Sequence, residues 1–395
     1  MALTRDVRKD ASAGRPQVLN GVIQTAAALG HTDINYIQSL LETRSLATLA
    51  FRWLKRAVFT SPSRRWPKQC ILFDNQQAIQ AILQRIEAWQ PDVVYLDSVR
   101  SVALAEAIAE KYPELRMICD FDDLMSHRME LTLALGQGMS VGYMGKLLPS
   151  FFRTLLAYPT IARQLAAKEL RGLRFVELLL CQKVQAVTLL SHLESSILKC
   201  KLPPADAEKV HTVVPLYKTI RKIEPPTDPI RFIFLGSDSL LQNKLSIAWL
   251  LDTWKKHEII HPLYIFGRQR GKYETVANVF FPGFVENLDD IYTANSILIV
   301  PSLLGGGIKT KLLQAISHGI IAIGNQTAWE AVAIPENGLA FTEGGLLQCL
   351  SHMPEELDHL IEAAEEMQAY LESHHGAVAS MQAWNRVLFA VKEKD

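Results

Sequence analysis

The sequence is poor in the features that mark several protein classes. Five cysteines, Cys70, Cys119, Cys181, Cys200 and Cys349, are scattered along 395 residues without a CxxC pair. That spacing supports neither a zinc site nor a disulfide framework, and it suits a reducing cytoplasm. No uninterrupted apolar run reaches the roughly 18 residues that a membrane span needs. The opening residues lack the apolar core of a signal peptide. Charge of one sign is not in excess, because 41 Lys and Arg balance 41 Asp and Glu. Such balance argues against a general nucleic-acid binder. No internal repeat shows beyond an alternation of strand-like and helix-like stretches. What is present is globular: 49% hydrophobic and 21% charged residues, in a chain long enough for two domains of ordinary size.

The most informative stretch runs from Pro301 to Gly319. An apolar run at 296–300 predicts a buried strand ending in Pro301. Gly305, Gly306 and Gly307 follow, then an amphipathic helix to about residue 317, which Gly319 is placed to cap. Glycine lets a backbone approach a phosphate closely, and the first turn of a helix offers N–H groups and partial positive charge. Lys309 and Lys311 add cationic side chains nearby. The plain alternative is a tight strand-to-helix turn with no ligand. Glycines alone favour that alternative, and glycines with two lysines favour a phosphate.

The run from Gly305 to Ala315, Gly-Gly-Gly-Ile-Lys-Thr-Lys-Leu-Leu-Gln-Ala, followed by Gly319-Ile-Ile-Ala-Ile-Gly324, resembles the donor-site helix of GT-B glycosyltransferases of the broad group 1, family 4-like clan. Phe234-Leu-Gly-Ser237 with Asn243, Ile265-Phe-Gly-Arg268, and Phe281-Pro-Gly-Phe-Val-Glu-Asn-Leu288 are similar to that family in type and order. The resemblance covers the C-terminal half well and the N-terminal half more loosely. It implies an α/β fold of two Rossmann-like domains whose parallel sheets face across a cleft. It also implies a nucleotide-sugar donor held by Gly236, Ser237, Asn243, Arg268, Gly306, Gly307, Ile308, Lys309, Thr310, Lys311 and Gln314. The chain departs from the family at one point. Many retaining members carry two glutamates spaced as positions 306 and 314 are; here those positions hold Gly306 and Gln314. Gln314 keeps the capacity to bond ribose hydroxyls, whereas the sugar-binding role of the first glutamate has no counterpart, so neither retention nor inversion is assigned.

The N-terminal half alternates in the same way. Pro16 predicts a helix to about residue 29. Gly14 and Arg15, ahead of it, either face the donor or form a plain turn. Residues 46–61, with Arg64, Arg65, Trp66 and Lys68 after them, are basic and aromatic. They suit an anionic membrane surface, a phosphorylated acceptor or an ordinary solvated face. Strands at 92–96 and 115–119 precede Asp97-Ser-Val-Arg100 and the segment from Asp120 to Arg128. Ligands of open α/β sheets sit beyond the carboxyl ends of strands. Asp97 and Arg100 are therefore substrate-binding candidates, although helix capping explains Asp97 equally. Asp122 and Asp123 are candidates for a general base or a hydroxyl clamp, because capping uses only one of them. No further ligand at a readable spacing makes this a metal site. Residues 140–158 are strongly apolar and read as a packed lid or an in-plane membrane contact.

These readings divide the chain into an acceptor-side domain at 1–217 with a helical insertion at about 129–180, a linker at 218–229, a donor domain at 230–374, and a terminal helix at 375–395 crossing back to the first domain. The expected function is sugar transfer from a nucleotide-sugar to a saccharide or lipid-linked saccharide in surface polysaccharide synthesis. No cofactor, metal or nucleic acid is expected. The protein is expected in the cytoplasm, with peripheral contact at the inner face of the membrane left open. The alternatives are a non-catalytic nucleotide- or glycan-binding assembly protein and a nucleotide-sugar epimerase.

Overall fold

The computed structural model describes residues 1–4, 14–40, 66–138, 158–332 and 338–389. The basic stretch at 46–61 with Arg64 and Arg65, and residues 140–157 of the apolar stretch, lie outside the described residues. The chain divides into two compact units, Met1–Ala11 with Arg15–Val214 and Met381–Asp395, and Ser12–Gly14 with Pro215–Ser380. Each holds a six-stranded parallel sheet, as expected for α/β.

In the first unit the strands are β1 (Ala2–Leu3), β2 (Asn35–Tyr36), β3 (Val93–Asp97), β4 (Arg116–Asp122), β5 (Ala186–Leu189) and β6 (Val210–Thr212), in the order β2-β1-β3-β4-β5-β6. Helices α1 (Gly14–Leu29), α2 (Gln76–Trp89), α3 (Val102–Lys111), α4 (Met125–Ala134) and α5 (Pro159–Lys183) supply crossovers. The central strands β3, β4 and β5 are almost wholly buried, which explains their continuous apolar runs. β4 runs on through Asp122, three residues past the end expected from apolarity. Two aspartates can end this strand because each carboxylate has a cationic partner.

In the second unit the strands are β7 (Arg231–Leu235), β8 (Leu263–Phe266), β9 (Val279–Gly283), β10 (Ser296–Val300), β11 (Ala322–Asn325) and β12 (Ala340–Phe341), in the order β12-β11-β10-β7-β8-β9. Its longer helices are α6 (Leu241–His257), α7 (Thr310–Ser317), α8 (Glu343–Ser351) and α9 (Met353–His375). After β9, Leu288–Asp290 is a short 3-10 turn. Thr293 bonds Asn295 and Ser296 through its hydroxyl, and such local bonding competes with helix. A one-turn helix, Gln326–Trp329, follows β11, and Asn325 caps it.

Residues 218–229, read from sequence as a linker, belong to the second unit. Arg221 N donates to Ser317 O, and Ile223 N donates to Gln368 Oε1. The last helix, α10 (Ala377–Phe389), brings Trp384 and Val387 into a core with Leu3, Leu19, Tyr95 and Ile118. Trp384 meets the Tyr95 ring edge-on at 5.9 Å, and Arg116 donates to Val387 O at 2.8 Å. Gln382, Asn385 and Arg386 around these anchors stay outside, as an amphipathic helix requires. The side chain of Phe389, the other anchor expected from sequence, lies outside the described residues. Trp384→Ala is expected to cost the first unit about 3–5 kcal/mol in urea denaturation. A loss below about 0.5 kcal/mol, the scale of a surface change, would show that this helix does not close the core.

Candidate functional site

Two groups of side chains gather at the carboxyl ends of the two sheets, and each belongs to one unit. In the second unit β10 is buried throughout and delivers the chain to Pro301. Asn325 clamps the exit: its Oδ1 takes Ser302 N–H at 2.9 Å and its Nδ2 donates to Ser302 O at 2.8 Å. Gly306 and Gly307 then adopt φ of 83° and 69°, the left-handed region that costs an L side chain strain. Lys309 is 7% exposed and turns back, donating from Nζ to Gly306 O at 2.7 Å and to Gly307 O at 3.2 Å. In a planar trans peptide the N–H points opposite to the C=O. Two carbonyls held on Lys309 therefore turn the N–H groups of Gly307 and Ile308 the other way, immediately ahead of α7. The Gly306 N–H meets Glu330 Oε1 at 2.6 Å.

This placement differs from the expectation that both lysines project beside the loop. Lys311 is also withdrawn: Nζ donates to Leu235 O at 2.6 Å and to Asn243 Oδ1 at 3.1 Å, with the Phe234 ring at 4.3 Å. Burial, and then Lys309, push its ammonium down to about 7. Both ammonium groups satisfy inward carbonyls that would otherwise be buried without donors. Asn243 completes the join, donating to Ser237 O at 3.0 Å. A Cβ on Gly236 would meet Asn243 at 2.6 Å, so a glycine is required there. Ser237 Oγ donates to Arg268 O at 2.7 Å, which ties the loop after β7 to the loop after β8. The Arg268 guanidinium lies over the Phe284 ring at 4.7 Å. Thr310 opens α7, and its carbonyl accepts from Tyr217 at 3.1 Å. Gln314 is buried on the same helix. The structure thus brings Gly236, Ser237, Asn243 and Lys311 into one bonded group, and Gly306, Gly307, Ile308 and Lys309 into another.

In the first unit β3 and β4 align Asp97 with Asp120. Arg15, in the first turn of α1, inserts between them. Its guanidinium donates to Asp97 at 2.7 Å, Asp120 at 3.0 Å and Asp122 at 3.1 Å. Thr4 donates to Asp97 from N at 2.9 Å and from Oγ1 at 2.6 Å, and Tyr95 OH donates to Asp120 at 2.5 Å. A register irregularity between Asp120 and Asp122, with φ of 67° at Asp122, turns the last carboxylate outward. Asp122 keeps 26% exposure where Asp97 keeps 1%. Burial, only partly offset by Arg15 and reinforced by Asp123, Asp120 and Asp97, pushes the Asp122 carboxyl up to about 7. Asp97 behaves oppositely: burial opposes its charge, yet Arg15 and Thr4 hold it below the usual range. Asp123 pairs with Arg128, and Arg100 donates to Gln69 at 3.2 Å. Arg15, Asp97, Arg100, Asp122, Asp123 and Arg128 line one cavity of about 50 Å³, room for a hydroxyl or a water. Gly14 opens α1 just ahead of Arg15.

The cation among these aspartates is a guanidinium, so Asp97 is a structural partner as much as a candidate ligand. Sequence reasoning did not single out Thr4, Tyr95 or Glu330. Tyr95 looks like one more apolar strand residue, and Glu330 is distant from the glycine run in sequence.

Residues 229–371 match the family model described as Glycosyl transferases group 1. A glycosyltransferase from Rickettsia africae ESF-5 aligns over 100% of this chain and 98% of its own, at 12% identity and a TM-score of 0.59. The lipopolysaccharide outer core galactosyltransferase WaaB aligns over 91% of this chain and 84% of its own, at 14% identity and a TM-score of 0.54. HepE from Anabaena, solved in complex with UDP, aligns over 80% and 82%, at 13% identity and a TM-score of 0.54. No curated protein matches the chain in sequence. At such identities the likeness is one of fold, and the fold is GT-B.

An unfolded lysine keeps its proton to near pH 10, whereas folded Lys311 gives it up near 7. Between those values the unfolded chain binds more protons, so Lys311 makes stability rise with pH, by about 1.4 kcal/mol per unit. Lys311→Met is expected to lack this rise when urea denaturation is compared from pH 7 to 10. Parallel profiles for the two proteins would show that Lys311 stays charged.

Proposed function

We propose, with the glycosyl transferases group 1 domain of residues 229–371 as premise, that this protein is an enzyme that moves a sugar from a nucleotide-sugar to a saccharide acceptor. The observation that supports this most directly is the Lys309-braced glycine loop at the head of α7. The partial positive charge of a helix N-terminus, entered from a fixed loop, suits a diphosphate, whose charge grows as it departs. Backbone N–H groups do this without an added cation, so no metal or cofactor is invoked.

The reaction breaks the bond between the anomeric carbon and the diphosphate oxygen, and the diphosphate keeps the electron pair. A new bond joins that carbon to the acceptor oxygen, and the acceptor hydroxyl loses its proton. We assign that proton to Asp122, the exposed member of the Arg15 cluster. A carboxylate whose pKa is raised to about 7 is a stronger base than an ordinary one and is still largely ionised just above neutrality. Asp123 and Arg100 line the same cavity and would orient the hydroxyl. In the second unit Ser237, Asn243, Arg268 and Gln314 are assigned to base, ribose and diphosphate contacts.

The finer reading is a lipid-linked saccharide acceptor in surface polysaccharide synthesis, met at the inner face of the membrane. Its support is indirect: WaaB is by its name a lipopolysaccharide galactosyltransferase. Among the described residues no helix is long and apolar enough to cross a membrane.

Thermal shift with UDP, GDP and ADP tests the donor site, because a ligand at 100-fold its Kd stabilises by about 2.7 kcal/mol. One of the three is expected to raise the melting temperature. Lys309→Met is expected to weaken that diphosphate at least tenfold with the fold intact; unchanged affinity would remove the loop from the site. For chemistry, Asp122→Asn is expected to lower kcat by about 100-fold or more, within the range of general-base loss. Since the base acts when deprotonated, wild-type kcat/KM should rise with pH through about 7, and the variant should lose that limb. An unchanged pH profile would reassign the base.

A further inference from the structure

The amide at Gly306 is met by a carboxylate from a distant part of the chain. Glu330 follows the short helix Gln326–Trp329, and two contacts fix where it stands. Asn325 caps that helix through Ala328 N–H at 3.1 Å, and the buried Trp329 indole donates to Leu339 O at 3.0 Å. From there Glu330 Oε1 reaches the Gly306 N–H at 2.6 Å. Gly305 makes this possible, since a Cβ on it would stand 2.5 Å from the same oxygen. The glycine run thus serves two demands: positive φ at positions 306 and 307, and space at 305 for a carboxylate. Glu330 as a residue remains exposed, so a ligand can reach it.

A carboxylate beside diphosphate-binding amides repels phosphate, and when ionised it only accepts hydrogen bonds. Its natural neighbour is a group rich in donors and free of negative charge. A nucleotide-sugar carries two such groups on its diphosphate, both hydroxyl-bearing rings: the ribose, assigned above to other side chains of this unit, and the transferred sugar. We propose that Glu330 reads the donor sugar, its carboxylate accepting hydrogen bonds from ring hydroxyls while the Gly306 N–H holds it in place. Glu330 thereby returns a carboxylate to position 306, where the resemblance to group 1 enzymes puts a glutamate and this chain has glycine. The inference rests on the nucleotide-sugar reading above and names its substrate class: a donor sugar with unblocked ring hydroxyls.

Calorimetric titration of the full chain with UDP and UDP-glucose, GDP and GDP-mannose, and ADP and ADP-glucose tests it. Glu330→Ala is expected to weaken the sugar-bearing ligand at least tenfold while leaving its bare diphosphate unchanged or tighter. Glu330→Gln keeps an acceptor for the Gly306 N–H, and it should lose about fivefold on the sugar-bearing ligand alone, less than removal of a full charged hydrogen bond. Equal weakening of diphosphate and sugar-bearing ligand in Glu330→Ala, with Glu330→Gln like wild type, would make Glu330 a brace for the loop and overturn the proposal. No effect of either variant would overturn it too. Failure of the wild-type protein to bind any of the three diphosphates strikes instead at the donor-site reading, and the proposal falls with it.

Discussion

A buried ammonium organises the glycine loop. Lys309 has two glycine carbonyls as acceptors and almost no water. Without it, the carbonyls of Gly306 and Gly307 would lose this donor, and a buried carbonyl left unsatisfied costs about 1–3 kcal/mol. With it, the peptide planes are fixed and their N–H edges have one available direction. The left-handed φ values at Gly306 and Gly307 suit residues without a Cβ, and the loop leads directly into α7. On the reading proposed above, the lysine acts on the diphosphate through the backbone it orients rather than through its own charge.

The first unit solves the reverse problem. Three aspartates converge at the ends of β3 and β4, and one guanidinium serves them all. Burying that many like charges costs several kcal/mol per ion unless they are paired and bonded. The three are not equal. Asp97 and Asp120 take Thr4 and Tyr95 as additional donors, which keeps them anchored. Among the three contacts with Arg15 the longest is to Asp122, which also keeps access to solvent. The network therefore concentrates its surplus proton affinity on Asp122, one of the carboxylates that line the cavity. Groups whose environments drive their pKa values apart are those that can divide structural and chemical work.

Periodicity made the sheets legible. β10 and β8 fall at the limits that apolarity predicts, because both are buried strands bounded by Pro or Gly. The loop chemistry was legible as a pattern but not as a geometry. Gly305 to Lys311 announced an anion site, yet a lysine in sequence carries no sign of whether its tip turns outward or back onto its own loop. Burial decided that, and burial depends on Leu235 and Asn243, far away along the chain. Glu330 was invisible for the same reason: its contact with Gly306 is made across α7 and β11. Tyr95 was hidden by its own amphipathic nature, since its ring belongs to the core shared with Trp384 while its hydroxyl belongs to the carboxylates.

A common rule links the two ends of the chain. In each unit the charges that look catalytic in sequence are mostly consumed in holding something else. Lys309 and Lys311 spend their donors on backbone carbonyls and an amide oxygen, and Asp97 and Asp120 are paired with Arg15, all within their own unit. Among the described residues, Glu330 in the second unit and Asp122 in the first keep access to solvent. Dipoles fixed by a scaffold need no reorganisation as charge develops, and they are screened less by salt than exposed ions are. On the proposed reading the backbone rather than flexible cations holds the diphosphate, so selectivity falls to polar side chains at the loop, and Glu330 is one that meets a glycine amide there.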